Sequence, residues 1–304
     1  MALKRNGLRP RRLLIFPFIL FAGVTIWITF HLKPEDLMLP TGAMSDQTLD
    51  YFLKKGQIVE KDAAVIQWYH AANSRSKINE ALKSSAHMIE ADILLRGCDP
   101  IEPIMAHPPQ NDSDITLREW LKEVMPSGKG IKLDFKSLQA VAPSMVLLEQ
   151  VRHELQAPVW INADILAGPG GKATPLEPQA FLDAVHVAAR NAVFSLGWTT
   201  GWSPNTDNPG YSWEMVQQME TVCKPLVEPV TFPVRASLMS QSFAQLRWLL
   251  QQSDRYSLTV WTSLSDTFIV EDLLPYRQNI SKSRIYYDLS DSQMAQFKVL
   301  PGFS

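Results

Sequence analysis

From residue 48 to the C-terminus, short apolar runs rich in β-branched residues alternate with amphipathic stretches. Apolar runs of this length, separated by turn-forming residues, predict buried strands. The predicted strands are AAVIQWYH (63–70), HMIEADIL (87–94), GIKLDFK (130–136), PVWINADI (158–165), AVFSLGW (192–198), VTFPVRA (230–236), YSLTVWT (256–262) and RIYYDLS (284–290). A shorter run, PIMAH (103–107), adds one more extended segment.

Between these runs, apolar residues recur every three or four positions, which predicts helices that pack by one face. One of them begins at Thr116 with Glu119 three residues later, the signature of a capping box. The predicted helices are SRSKINEALKSS (74–85), TLREWLKEVM (116–125), PSMVLLEQVRHEL (143–155), PQAFLDAVHVAAR (178–190), SWEMVQQMETVC (212–223), SFAQLRWLLQQS (242–253) and VEDLLPYRQNI (270–280).

The alternation of predicted strands and helices indicates an α/β fold with a parallel sheet. One strand and one helix for roughly every 30 residues, over about 240 residues in total, is typical of a TIM-type (β/α)8 barrel. We therefore expect residues 48–304 to form one such barrel. A doubly wound sheet with additional units is the alternative.

The N-terminus differs in composition from the body of the chain. Five Lys or Arg residues within 1–12 precede LLIFPFILFAGVTIWITFHL (13–32), a segment without Asp, Glu, Lys or Arg. Such a segment is long enough to cross a bilayer as a helix, and the basic cluster is expected to remain cytosolic. The expected organisation is a basic tail (1–12), a transmembrane signal anchor (13–32), a polar linker (33–47) and the barrel (48–304). The alternative is a cleaved signal peptide, which would release a secreted protein.

Both alternatives place the barrel in the lumen or outside the cell. Asn111 and Asn279 each begin an Asn-X-Ser glycosylation sequon, which agrees with export. Cys98 and Cys223 could pair in an oxidising compartment, but their spacing does not decide whether they do. The formal net charge of -2 gives no indication of a nucleic-acid partner.

Polar side chains recur near the C-terminal ends of the predicted strands, where barrel enzymes have their active sites. Glu90 and Asp92 are two residues apart in an otherwise apolar run, so both point to the same side of the strand. Asp134 and Lys136 repeat this spacing on the third strand. The other candidates at these ends are His70, His107, Asn162, Asp164, Trp198, Arg235 and Trp261.

Brought together inside a barrel, Glu90, Asp92 and Asp134 would repel one another and their pKa values would rise. A divalent cation removes this conflict, and an all-oxygen ligand set favours Mg²⁺, with Ca²⁺ as the alternative, over zinc. His70 and His107 are then available as acid and base, because histidine titrates near neutral pH. This combination indicates phosphoryl chemistry on an ester.

The remaining candidates are given supporting roles. Lys136 provides a fixed positive charge for an anionic group of the substrate. The side chains interpreted as substrate-binding are Asn162, Asp164, Trp198, Arg235 and Trp261. The segment GWTTGW (197–202) provides apolar surface that suits either a lipid tail or simple packing.

Each of these residues also has a purely structural interpretation. A single His at a strand end is usually a hydrogen-bonded surface group, Asp134 and Lys136 can form an ion pair, and tryptophans usually pack. His87 begins its strand and is interpreted as structural, and His153 and His186 fall on predicted helices as surface residues. The metal hypothesis rests on several separate strands carrying suitable residue types at the same end.

Six segments of the body together resemble the menorin family. They are WYHAANSRSKINEALKSSAHMIEADILL, PIMAHPP, GIKLDFKS, PVWINADILAGP, FSLGWTTGW and TFPVRASL. The family in turn resembles phospholipase-C-like phosphodiesterase barrels, which include glycerophosphodiester phosphodiesterases and the sphingomyelinase D enzymes of spider venom. The resemblance also implies an extracellular role, because a menorin-like protein acts in the patterning of neuronal dendrites.

The resemblance assigns roles to individual residues. In the phosphodiesterase barrels a His ends the first strand, an acidic pair lies on the second, a second His follows, and the third strand carries an acidic residue. The venom enzymes also carry a Lys two residues after that acidic residue. By this resemblance the three carboxylates would bind Mg²⁺, the two histidines would be the acid–base pair and the lysine would neutralise the phosphate. The matching residues, in chain order, are His70, Glu90, Asp92, His107, Asp134 and Lys136.

The sequence departs from the phosphodiesterase pattern around both histidines. His70 is followed by two alanines rather than by Arg-Gly, and Pro108 stands where an acidic residue often follows the second His. The segment before the next helix is also too short for a capping subdomain. We therefore expect a membrane-anchored, Mg²⁺-dependent phosphodiesterase-type hydrolase, and the alternative is a non-catalytic surface or secreted ligand that keeps the barrel site only for binding.

Overall fold

The computed structural model describes residues 47–186 and 191–304. The helices are α1 (Gln47–Lys54), α2 (Arg75–Lys83), α3 (Leu117–Val124), α4 (Leu138–Val151), α5 (Pro178–His186), α6 (Trp213–Cys223), α7 (Phe243–Gln251), α8 (Leu274–Asn279) and α9 (Asp291–Lys298). The strands are β1 (Trp68–Tyr69), β2 (Met88–Leu95), β3 (Pro103–Met105), β4 (Gly130–Phe135), β5 (Val159–Ala167), β6 (Val193–Thr199), β7 (Val230–Arg235), β8 (Tyr256–Trp261) and β9 (Ile285–Asp288).

The strands follow the order β1-β2-β4-β5-β6-β7-β8-β9, with all neighbours parallel, and β3 pairs antiparallel with β2. Chain order is kept without the reversal that a doubly wound sheet requires, so that alternative is wrong. The two end strands meet through side chains: the rings of Trp68 and Tyr286 are 6.4 Å apart, and His70 Nδ1 is 3.2 Å from Asp288 Oδ2. The eight parallel strands form a nearly closed α/β barrel of TIM type, and within the described residues no ladder joins β9 to β1.

The register of the ladders aligns polar side chains at one level inside the barrel. Asp92 is paired with Asp134, and Asp134 is paired with Asn162. Asn162 is in turn paired with Ser195 on β6. Since parallel partners in register point to the same face, all four side chains enter the interior at one level of the barrel.

The opposite end of the barrel is filled by aromatic residues. The Trp160 ring lies 5.1 Å from that of Trp68 and 4.9 Å from that of Tyr286, which joins strands from three parts of the sheet. Helix α1 covers this end, where Phe52 is fully buried and Thr48 Oγ1 accepts a 2.9 Å hydrogen bond from the Trp160 indole. The interior is therefore apolar at the N-terminal end and polar at the C-terminal end.

The predicted elements differ from the observed ones mainly near the ends of the barrel. In the predicted first strand, 63–65 form a 3-10 helix, because the Asp62 side chain caps it by accepting the Ala64 N–H. The helix predicted at 143–155 begins earlier, at Leu138, and contains Pro143. The segment predicted as a helix at 270–280 is a 3-10 turn followed by the short α8. Helices α1 and α9 were not predicted.

Several predictions concern parts of the chain that the structure does not describe. The basic tail (1–12), the predicted transmembrane segment (13–32) and all but the last residue of the linker (33–47) lie outside the described residues. Among the helices that are described, none combines the length and the hydrophobicity needed to cross a bilayer. Asn111 and Asn279 of the two sequons are exposed. Cys98 is exposed and Cys223 is buried, and both are free thiols.

A buried ion pair joins the segment before β1 to helix α8. The Arg277 guanidinium donates two hydrogen bonds to the Asp62 carboxylate, which is 215 residues away in the chain. The Cζ atom of Arg277 also lies 4.3 Å from the centre of the Phe303 ring. Burial alone would raise the pKa of Asp62, but the hydrogen bonds and charge of Arg277 outweigh it and lower the pKa. The ion pair therefore holds the segment before β1 against helix α8, near the two ends of the barrel sequence.

We expect Asp62→Asn to lower the free energy of unfolding by about 3 kcal/mol at pH 7, because it leaves the buried Arg277 charge without its partner. Since the pKa of Asp62 is lowered, the difference from wild type should shrink as the pH falls through the acidic range. Denaturant unfolding measures both effects. The control is Asp50→Asn at the exposed Lys61–Asp50 pair, which should cost less than about 1 kcal/mol. Equal losses in the two variants would contradict this interpretation.

Candidate active site

Three carboxylates converge in the mouth of the barrel, as the strand pattern predicts. Glu90 and Asp92 come from β2 and Asp134 from β4, and one oxygen of each lies within 4.8 Å of the others. The residues Glu90 and Asp92 are 0% and 4% exposed. Three negative charges this close in a largely dry interior require compensation.

One oxygen of each carboxylate is held in place by a neutral donor. Glu90 Oε2 accepts a 2.7 Å hydrogen bond from the Ala71 backbone N–H. Asp92 Oδ2 accepts one of 2.7 Å from the Asn73 amide, and Asp134 Oδ1 accepts one of 2.7 Å from the Asn162 amide. Each carboxylate is thereby fixed in orientation through one oxygen, and its second oxygen has no neutral donor among the described residues.

The second oxygens face a common region. Lys136 Nζ is 3.0 Å from Asp92 Oδ1 and 2.6 Å from Asp134 Oδ2. Glu90 Oε1 is buried and has no hydrogen-bond partner among the described residues. An unpaired carboxylate oxygen in the interior is costly. An all-oxygen set with one unsatisfied buried oxygen fits Mg²⁺ or Ca²⁺, which bind carboxylates, better than zinc.

The electrostatics of the cluster follow from burial and charge. Burial raises the pKa of Glu90, and the charge of Asp92 adds to this while that of His70 opposes it. Burial acts to lower the pKa of Lys136, but the charges of Asp134 and Asp92 outweigh it and raise the pKa well above its usual value. Lys136 is therefore a permanent ammonium group at neutral pH.

The loop between β1 and α2 supplies two of the three fixed donors. Ala71 has a φ of 55°, in the left-handed region that disfavours residues with a Cβ, and this conformation aims its N–H at Glu90. Asn73 uses both ends of its amide, because its Oδ1 also accepts the backbone N–H of Asp92 at 2.8 Å. Sequence reasoning missed Asn73, because a loop asparagine carries no strand periodicity to mark it.

His70 lies at the edge of the cluster. Its Nδ1 is 3.4 Å from Glu90 Oε2 and 3.2 Å from Asp288 Oδ2, while its side chain remains 57% exposed. The negative charge of Glu90 is the main reason that the pKa of His70 rises to about 10. A cation bound to the carboxylates would offset this charge and lower the pKa of His70 toward neutrality. With Nδ1 held by carboxylates, Nε2 is the ring atom left to exchange a proton.

His107 follows β3 and is exposed at the same end of the barrel. The preceding residue anchors it, because the Ala106 N–H donates to the Asp92 carbonyl at 3.0 Å. His107 Nδ1 is 2.7 Å from the Pro108 carbonyl oxygen. A carbonyl can only accept, so Nδ1 carries the proton and Nε2 of the neutral ring is free to accept one.

A second lysine, which sequence reasoning missed, lies inside the barrel. Lys132 is 5% exposed and is paired in register with Glu90. Its Nζ lies 5.9 Å from the centre of the Trp68 ring, a cation–π contact, and forms no ion pair with the described carboxylates. Its signal in the sequence was its position two residues before Asp134, which places it on the same inward face.

Comparison with known proteins agrees with the segments quoted above. The menorin N-terminal domain model matches residues 62–294. The human protein FAM151B is 56% identical over 259 residues, which are 84% of this chain and 94% of that protein. The chain belongs to the menorin family.

Two solved structures are similar to this menorin-family barrel at low sequence identity. A glycerophosphodiester phosphodiesterase from Agrobacterium tumefaciens str. C58 is 10% identical, with a TM-score of 0.37 over 78% of this chain and 100% of that one. A GH18 chitinase from Pseudoalteromonas aurantia is 10% identical, with a TM-score of 0.30 over 76% of this chain and 97% of that one. Likenesses at this level do not decide the function.

On β5 of the menorin-family barrel, the two predicted polar residues differ in their surroundings. Asn162 links three strands, because it donates to Asp134 and accepts a 2.5 Å hydrogen bond from Ser195. The Asp164 carboxylate has no hydrogen bond or ion pair among the described residues and lies over Gly197, which leaves space for it. Burial, helped by the charge of Asp134, raises the pKa of Asp164 to about 7.

The remaining candidates are held by contacts of their own. Arg235 donates two hydrogen bonds to the buried Asp266 carboxylate, at 2.7 and 2.5 Å, and lies 5.2 Å from the centre of the Trp261 ring. Trp198 is 2% exposed and packs against Tyr211, with ring centres 5.1 Å apart. Arg235 and Trp261 thus stay beside the mouth, whereas Trp198 is part of the packed core. Their substrate-binding roles stay predictions.

His87, His153 and His186, which we interpreted as structural, are not part of the cluster. His87 Nδ1 accepts the Gln67 N–H at 3.1 Å at the opposite end of the barrel. His153 is exposed after α4, and His186 is 3.4 Å from Glu228.

We expect Asp164→Asn to raise the free energy of unfolding at pH 8 by on the order of 2 kcal/mol. The folded protein holds the Asp164 proton more tightly than the unfolded chain, so wild type loses stability as the pH rises from about 4 through about 7. The difference should vanish toward pH 4. Unfolding is measured with a chelator present, and exposed Asp207→Asn is the control. A difference independent of pH would contradict the prediction.

Proposed function

We propose that this menorin-family protein is a Mg²⁺-dependent phosphodiesterase-type hydrolase whose active site is the mouth of the barrel. The observation that carries the proposal is the cluster of three buried carboxylates at the end of the barrel that also carries the two histidines and Lys136. One oxygen of each carboxylate is held by a neutral donor, and Glu90 Oε1 has no partner among the described residues. A buried carboxylate oxygen without a partner among the described residues, as at Glu90, costs stability, and a purely structural role would not explain why it is there.

Glu90, Asp92 and Asp134 would hold the divalent cation, with Mg²⁺ favoured and Ca²⁺ as the alternative. When bound, such an ion polarises a phosphoryl oxygen and stabilises the negative charge that develops there. The two neutral amides, Asn73 and Asn162, keep the carboxylates in the orientation that this requires.

The histidines would move the protons. One ring would take a proton through Nε2 from the water that attacks phosphorus, and the other would donate a proton to the oxygen of the leaving alcohol as its bond to phosphorus breaks. Both rings have Nδ1 engaged by protein oxygens, which fixes their orientation and leaves Nε2 toward solvent and substrate. Lys136 would neutralise the anionic group of the phosphodiester.

The cellular placement is also a proposal. The predicted signal anchor at 13–32 would hold the barrel at a membrane on its lumenal or extracellular side, and cleavage there would release it. The exposure of Asn111 and Asn279 supports this placement, because glycosylation requires accessible sequons.

We expect the full-length protein to bind Mg²⁺ or Ca²⁺ in isothermal titration calorimetry, and we expect Glu90→Ala/Asp92→Ala to abolish binding, because two of three ligands are removed. His153→Ala, an exposed histidine outside the site, is the control and should bind as wild type does. Absence of binding by wild type at millimolar cation would overturn the proposed cation site.

We expect hydrolysis of bis(p-nitrophenyl) phosphate in the presence of Mg²⁺, measured by release of p-nitrophenol. Of His70→Ala and His107→Ala, the variant that removes the general base should lower the rate by about 100-fold or more. The variant that removes the general acid should lower it less, because p-nitrophenolate leaves without a proton. His153→Ala should have no effect. Cation binding without hydrolysis of this or of lipid phosphodiesters would favour the non-catalytic ligand or scaffold over the hydrolase.

A further inference from the structure

Two of the three carboxylate oxygens that have no neutral donor in the described part of the chain contact the Lys136 ammonium. Neutral donors occupy Glu90 Oε2, Asp92 Oδ2 and Asp134 Oδ1. Asp92 Oδ1 and Asp134 Oδ2 both contact the Lys136 ammonium, at 3.0 and 2.6 Å. A cation that binds the carboxylate oxygens without a neutral donor would use the two that Lys136 holds, Asp92 Oδ1 and Asp134 Oδ2, together with Glu90 Oε1.

We propose that the Lys136 ammonium and the divalent cation are alternative occupants of the same two carboxylate oxygens, so that cation binding releases Lys136 toward the mouth of the barrel. The proposal rests on the cation site proposed above and adds an exchange step to it. It gives Lys136 a role before any substrate arrives, in addition to the neutralisation of an anionic group.

Distance makes simultaneous occupation unfavourable. Mg²⁺ lies about 2.1 Å from a ligand oxygen, and the ammonium is 2.6 Å from Asp134 Oδ2. The two positive centres would then be separated by no more than the sum of these lengths, about 5 Å. Charges of +2 and +1 at this separation repel strongly in a partly buried site.

The side chain has a route by which to leave. Lys136 follows the last residue of β4 at the C-terminal end of the barrel, and its side chain is 23% exposed. Its backbone N–H donates to the Ile93 carbonyl at 3.0 Å, so the main chain is anchored and the motion is confined to the side chain. The released ammonium stays beside the cluster, at the place where an anionic substrate would enter.

The exchange predicts an unusual response to mutation. Lys136→Met should bind Mg²⁺ at least about tenfold more tightly than wild type in calorimetry, because the competing ammonium is removed. Lys136→Arg, which keeps the charge, should remain close to wild type. Lys132→Met is the matched control, since it removes the same charge four residues earlier in the chain, on β4, without freeing the carboxylate oxygens. Its affinity should rise less than that of Lys136→Met.

A second measurement uses the unmodified sequence and does not depend on how the variants fold. Full-length wild type is acetylated with an amine-reactive reagent, with Mg²⁺ or with chelator, and the Lys136 peptide is quantified by mass spectrometry. The exchange predicts severalfold faster acetylation of Lys136 with Mg²⁺, and an unchanged rate at Lys132. Unchanged or slower acetylation of Lys136 would overturn the exchange.

The outcomes separate this proposal from the proposed function. If wild type binds the cation but Lys136→Met binds equally or more weakly, or if Lys132→Met gains as much, the exchange is overturned and the cation site stands. If wild type binds no cation, the cation site and the exchange that rests on it both fail.

Discussion

The convergence of three carboxylates inside the barrel is the constraint around which the mouth of this protein is organised. Like charges at this separation are stable only when every oxygen has a donor or a cation. The chain meets this requirement with a backbone N–H from Ala71 and amides from Asn73 and Asn162. It adds the ammonium of Lys136 in direct contact and that of Lys132 at a distance. Within residues 47–186 and 191–304, Glu90 Oε1 has no such donor, and the proposed cation would supply its partner.

The groups that orient the cluster are also part of the barrel wall. The bonds from Ser195 to Asn162 and from Asn162 to Asp134 cross from β6 to β4 at one level. The β1–α2 loop lies over β2 from the other side and holds both of its carboxylates. The hydrogen bonds that orient the carboxylates are therefore also side-chain links between neighbouring elements of the barrel wall.

The sequence predicts the barrel and the cluster well because both depend on strand periodicity. Two-residue spacing places Glu90 with Asp92 and Asp134 with Lys136, and parallel strands bring their C-terminal ends together. Asn73 is missed because a loop conformation with a positive φ two residues earlier decides where its amide points. The first strand is overpredicted because a capping aspartate turns apolar 63–65 into a 3-10 helix, a local preference that periodicity does not register.

The gap between β1 and β9 has a consequence for how the molecule avoids self-association. An open seam in a sheet leaves backbone donors and acceptors as a template onto which another chain can add a strand. Here the first strand has two residues, Trp68 and Tyr69, which is too short to pair stably with an incoming strand. The side chains of His70 and Asp288 then bridge the seam at its polar end. The sheet can thus remain open between β1 and β9 without presenting an edge onto which a strand of another molecule could pair.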